Sequence, residues 1–175
     1  GRTTLTGEGT QHMDGHSPVL AATNPAVVWY DPAFGYEIAH IVQRGLERMY
    51  GEKSEDITYY LTVYNEPIVQ PAEPDGVDVE GINRGLYLLQ SGEGDGPRVQ
   101  LLASGVGVPW ALEAAELLAS DWGVGADVWS VTSWTELRRE AMAVDQQRFL
   151  NPREQVEDSW LVQKLGGTQG PIVAT

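Results

Sequence analysis

The sequence predicts an α/β protein with parallel or mixed sheets and flanking helices. Short runs of β-branched and aromatic residues alternate with longer stretches in which apolar residues recur at helical spacing. The turns between them carry glycines or helix-capping residues. The strand runs are AVVWY (26–30), ITYYLTVY (57–64), GLYLLQ (85–90), VQLLA (99–103), ADVWSV (126–131) and IVA (172–174).

The chain opens on a hydrophilic loop, GRTTLTGEGTQHMDGH, whose Gly7, Gly9 and Gly15 allow backbone bends that other residues avoid. It holds His12 and His16, two of the three histidines of the chain. On a helix this pair would face one way and could share a metal, but Asp14-Gly15 between them argues against a helix, and Met13 stands where a zinc-protease motif needs glutamate. A histidine in a polar loop can serve as general acid or base, or simply as a hydrogen-bonded surface residue.

After the strand at 26–30, Asp31 is positioned to cap a helix and Pro32 to occupy its first turn. That helix is expected over 33–50, with Phe34, Ile38, Ile41, Val42, Leu46 and Met49 on its packing face and Gly51 ending it. Glu37, Gln43, Arg44, Glu47 and Arg48 fall on its exposed face, and His40 reads as an ordinary helix residue. The strand at 57–64 is broken by Asn65-Glu66-Pro67. Strand, helix, strand implies a right-handed parallel crossover, whose carboxyl ends are where such sheets put ligands.

Residues 71–97 are acidic and rich in proline and glycine, and read as a linker, with the boundary expected within 91–98. A second alternation follows. Gly105 and Gly107 turn the strand at 99–103 into a helix expected over 109–120, which Gly123 follows. Ser133 and Glu136 read as a capping box for a helix from Trp134, and a further helix is expected over 155–165. Gly105-x-Gly107 is half of a dinucleotide fingerprint, but Trp110 replaces the third glycine and SVTSWT supplies no acidic partner for a ribose. The glycines read as turn formers, and a noncatalytic nucleotide-binding α/β module is the weaker alternative.

Net charge is −14, from 25 acidic against 11 basic residues, which disfavours nucleic acid and anionic membranes as partners. The 42 % hydrophobic share fits a globular chain, and the absence of cysteine excludes disulfide and thiolate chemistry. No run is apolar for long enough to span a bilayer as a helix. A glycine-rich loop at one end, a strand running to Thr175 at the other and no initiator methionine suggest a piece of a longer polypeptide.

The run GRTTLTGEGTQHMDGHS, then YDPAFGYEIAHIVQRGLERMYGE, YYLTVYNE, VQLLASGVG, EAAELLASDWGVGADVWSVTSWTEL and PIVAT together resemble the homodimeric, thiamine-diphosphate-dependent pyruvate dehydrogenase family of bacteria. The resemblance covers essentially the whole chain. It implies parts of two transketolase-like domains: the end of the pyrimidine-binding domain over 1–70, a linker over 71–97, and the first part of the C-terminal domain over 98–175. It also implies an enzyme that decarboxylates pyruvate and acetylates the lipoyl group of the dihydrolipoyl acetyltransferase component. A cytoplasmic homodimer using thiamine diphosphate and Mg2+ is expected.

By motif, His12 matches the active-centre histidine of the family, and His16 is the second candidate. The family's combination of a Gly-Asp-Gly run with paired asparagines downstream is not found, so the cofactor ligands are expected outside this chain and the chain alone is expected to be inactive. A transketolase or another 2-oxoacid dehydrogenase is the alternative within the same superfamily.

Overall fold

A computed structural model describes residues 14–64 and 67–175. His12, with the rest of residues 1–13, and Asn65 and Glu66 lie outside the described residues. The first described element, α1 (Ser17–Thr23), was not anticipated. Asp14 Oδ1 accepts the amides of His16 and Ser17, and Pro18 sits in the first turn where an N–H has no helical partner.

Strand β1 (Val27–Tyr30) pairs in parallel with β2 (Thr58–Leu61) through the crossover helix α2 (Gly35–Tyr50). Helix α2 starts two residues later than expected, so its N-cap position falls at Phe34 rather than Asp31 and its first turn begins beyond Pro32. Glu37 caps it instead, with Oε2 accepting the amides of Ala33 at 2.6 Å and Phe34 at 3.0 Å. The exposed face assigned from spacing is therefore wrong at Glu37, which is fully buried, while Val42 and Leu46 face outward. The cause is a close approach at Gly45, where a Cβ would lie 2.9 Å from the Tyr59 ring. Turning Gly45 and Ile41 inward rotates the Val42 and Leu46 ridge away from the sheet. Burial of Ile41 contributes about 2 kcal/mol. His40 is partly buried and bonds Glu73 through Nε2 at 2.9 Å.

The segment expected as linker contains α3 (Val79–Arg84) and β3 (Tyr87–Gln90). Strand β3 pairs antiparallel with β5 (Gly125–Ser130), which pairs in parallel with β4 (Arg98–Ala103), and β4 pairs in parallel with β6 (Ile172–Ala174). The turn at 91–98 is thus a connection inside one sheet rather than a boundary. Ile82, Leu86 and Tyr87 are the reason, since all three are buried in the cores of this sheet.

Side chains alternate across this sheet as the strand period requires. Val99, Leu101, Ala103 and Val128 join a core shared with β1 and α2, whereas Leu102 and Trp129 face a second core with Leu137, Trp160 and Leu165. Helix α4 (Gly107–Trp122) covers the first face and ends at Gly123 in the left-handed conformation. Helices α5 (Trp134–Leu150) and α6 (Trp160–Leu165) cover the second. Ser133 Oγ accepts the Glu136 amide, as expected of the cap.

Helix α6 begins later than sequence suggested. Arg148 holds Asp158 and the Glu157 carbonyl, and Glu140 takes the Trp160 amide, so side chains of α5 hold the residues just before and at the start of α6.

Candidate functional site at the carboxyl ends of the parallel strands

The carboxyl ends of β1, β2, β4 and β5 converge on Asp31. Its amide donates to Thr132 O at 2.7 Å, beyond β5, and its carbonyl accepts the Gly105 amide at 3.0 Å, beyond β4. Its carboxylate Oδ1 accepts Thr62 Oγ1 at 2.5 Å and Tyr64 OH at 2.6 Å, both beyond β2. Asp31 is 2 % exposed, so these contacts operate in a largely water-free setting. Nearby, Ser133 Oγ donates to Trp29 O at 2.6 Å, joining the first residues beyond β5 to β1.

Gly105 makes the Tyr64 contact possible. At φ +52, its missing Cβ would lie 2.7 Å from Tyr64 Cζ. The glycine is therefore a seat for the Tyr64 ring as well as a turn former, and the ring occupies the space a phosphate would need. Gly105→Ala is expected to cost about 2–4 kcal/mol, from the left-handed backbone and the overlap together. Chemical denaturation checks it, and adding Tyr64→Ala should recover only the overlap. Equal costs with and without Tyr64 would reject this account.

A second buried network lies between α2 and the larger sheet. Glu37 Oε1 accepts Tyr87 OH at 2.7 Å and Ser130 Oγ at 2.6 Å, and Tyr36 OH lies 2.7 Å from Tyr87 OH. Because Tyr87 gives its proton to Glu37, Tyr36 must donate to Tyr87. Burial, then the adjacent Glu37 carboxylate, pushes the Tyr87 phenol well above its ordinary range. Burial does the same for Tyr30, whose hydroxyl donates to Asn83 O.

A phenol with a raised folded pKa keeps its proton where the unfolded chain has lost it. Stability from Tyr87 and Tyr30 is thus intact below about pH 10 and falls as pH rises beyond it. Thermal melts from about pH 8 to 11 should show this fall, and Tyr87→Phe should flatten it. An unchanged slope in that variant would exclude Tyr87 as a source.

Of the sequence-predicted histidines, His16 is exposed at the start of α1. His12 falls outside the described residues. Among the described residues, no three His, Asp or Glu side chains are grouped to hold a metal, and no helix is long and apolar enough to cross a membrane. Gly94-Asp95-Gly96 does carry the Gly-Asp-Gly tripeptide, but it lies in the β3–β4 tip and is followed by the single asparagine Asn151.

This two-sheet α/β fold superposes on solved transketolases. Residues 85–174 match the transketolase-like TK C-terminal domain, and the chain belongs to that family. Residues 1–71 match the pyruvate dehydrogenase E1 component middle domain. Among similar proteins, the pyruvate dehydrogenase E1 component of Corynebacterium glutamicum is 55 % identical over 99 % of this chain and 19 % of its own length. That of Mycolicibacterium smegmatis is 57 % identical over 99 % of this chain and 19 % of its own. The Escherichia coli K12 protein is 48 % identical over 100 % of this chain and 19 % of its own. The chain thus spans about one fifth of the length of the relatives it matches.

Among solved structures, a Pichia stipitis transketolase superposes with a TM-score of 0.59 at 17 % identity, over 95 % of this chain and 23 % of that one. The transketolase of Leishmania mexicana gives 0.55 at 17 %, with the same coverage of 95 % and 23 %. At these identities the likeness concerns the fold.

Proposed function

We propose that this chain is a segment of a pyruvate dehydrogenase (acetyl-transferring), the first component of the pyruvate dehydrogenase complex. That enzyme would decarboxylate pyruvate and reductively acetylate the lipoyl group of the dihydrolipoyl acetyltransferase component, as a cytoplasmic homodimer. The observation that carries this reading is the 55 % identity to the Corynebacterium glutamicum protein along 99 % of the chain. The middle-domain and C-terminal-domain matches follow in order.

Thiamine diphosphate and Mg2+ belong to the proposed reaction, where the cofactor supplies the electron sink. The described residues do not fit a metal–diphosphate site, since they offer no cluster of acidic or imidazole ligands. What this chain would contribute is imidazole: His12, with His16 as second candidate, positions substrate and exchanges protons near neutral pH. The first domain is proposed to end near residue 70.

The test is a chimera in which these 175 residues replace the matching fifth of the Corynebacterium glutamicum relative. Retained pyruvate-dependent carbon dioxide release, with acetyl transfer to a lipoyl acceptor, is expected. A folded chimera that ignores pyruvate, or turns over ketose phosphates instead, would sink the reading. The 175-residue chain alone is expected to release no carbon dioxide from pyruvate.

A further inference from the structure

We infer that Asp31 is a positioning residue of the proposed active centre, fixing the two sheets relative to each other at their parallel-strand ends. Its kinetic consequence rests on the pyruvate dehydrogenase reading, while its structural consequence rests on geometry alone.

Helix α2 takes its cap from Glu37. A buried carboxylate is a costly way to fill a core, because an apolar side chain of similar size would close the same space without desolvating a charge. What the carboxylate provides is direction. Thr62 and Tyr64 leave β2 aimed at one oxygen, Oδ1, and the Tyr64 ring in turn rests on Gly105 at the head of α4.

Through its backbone, the same residue bonds Gly105 N and Thr132 O. One residue therefore sets four strand ends, two from each sheet. Parallel sheets hold ligands beyond strand ends of this kind, and a misplacement of about 1 Å at such a site can lower turnover about a hundredfold. Asp31 makes none of these contacts as an acid or base. Its part is to hold other groups in place.

In the chimera, Asp31→Asn keeps the shape and can offer its carbonyl oxygen to both hydroxyls, but it replaces two charge-assisted hydrogen bonds with weaker neutral ones. Its kcat for pyruvate decarboxylation should fall about ten- to a hundredfold, with KM for pyruvate changed by less than about twofold. Tyr64→Phe, which removes one donor and little volume, should show the same pattern more weakly. Glu37→Gln, in the other buried network, should lower Tm while leaving kcat unchanged. An Asp31→Asn enzyme with full kcat, or one whose loss merely tracks Tm as a structural defect would, overturns the assignment.

Hydrogen exchange on the 175-residue chain supplies the readout that needs no activity. Asp31→Asn should speed exchange at Gly105 and its turn, and Glu37→Gln should not. If the unsubstituted chimera ignores pyruvate, the functional reading fails by itself. Unchanged exchange at Gly105 in the Asp31 variant then overturns the positioning role separately.

Discussion

Replacing Glu37 by alanine is expected to destabilise the chain by about 3–5 kcal/mol, the largest single-site effect on stability. Four donors converge on its two oxygens: the amides of Ala33 and Phe34, and the hydroxyls of Tyr87 and Ser130. Truncation strands them in a fully buried site. A lone orphaned donor costs about 1–3 kcal/mol, and partial relaxation keeps the sum below four such terms.

Glutamine should behave differently. Its carbonyl can face the two fixed backbone amides, while its N–H2 faces the two hydroxyls, which can turn to accept. Glu37→Gln should therefore cost only about 1–2 kcal/mol. Urea denaturation of the two variants measures the difference. Equal losses would mean that volume, rather than donor satisfaction, is what the site requires.

His12→Ala in the chimera is expected to lower pyruvate-dependent turnover by about 10²- to 10⁴-fold, the span of a lost general acid or base. An imidazole suits a cycle in which carboxylate and alkoxide charges appear and vanish near pH 7. Alanine removes the proton carrier. His16→Ala should have the smaller effect, since His16 stands exposed at the start of α1. Initial rates with pyruvate, alongside melting curves to exclude misfolding, make the comparison. Full activity in His12→Ala would remove this histidine from the proposed mechanism.

Much of the architecture was legible because its signals are local. The aromatic and β-branched runs at 26–30, 57–64, 99–103 and 126–131 became β1, β2, β4 and β5, and Gly51 and Gly123 end α2 and α4 as their positions suggested. The helix face of α2 was less legible. Periodicity marks which residues can share a face, but the approach of Gly45 to Tyr59 decided how that face is turned. The run at 85–90 became β3, but it was read inside an acidic, proline- and glycine-bearing linker over 71–97. Burial of Ile82 and Tyr87 against strands distant in sequence made them part of the larger sheet.

The site divides in the same way. Sequence alone determined the family resemblance, the α/β class and the strand order along the chain, because motifs and periodicities are properties of neighbouring residues. Asp31 and Glu37 gave no such sign: one read as a cap and the other as a solvated helix residue. Only the tertiary structure decided their roles, bringing Tyr64 to Asp31 and Ser130 to Glu37 across 33 and 93 residues of chain. A carboxylate is a surface group or the centre of a buried network according to which donors the fold places around it, and those donors lie beyond the reach of local pattern.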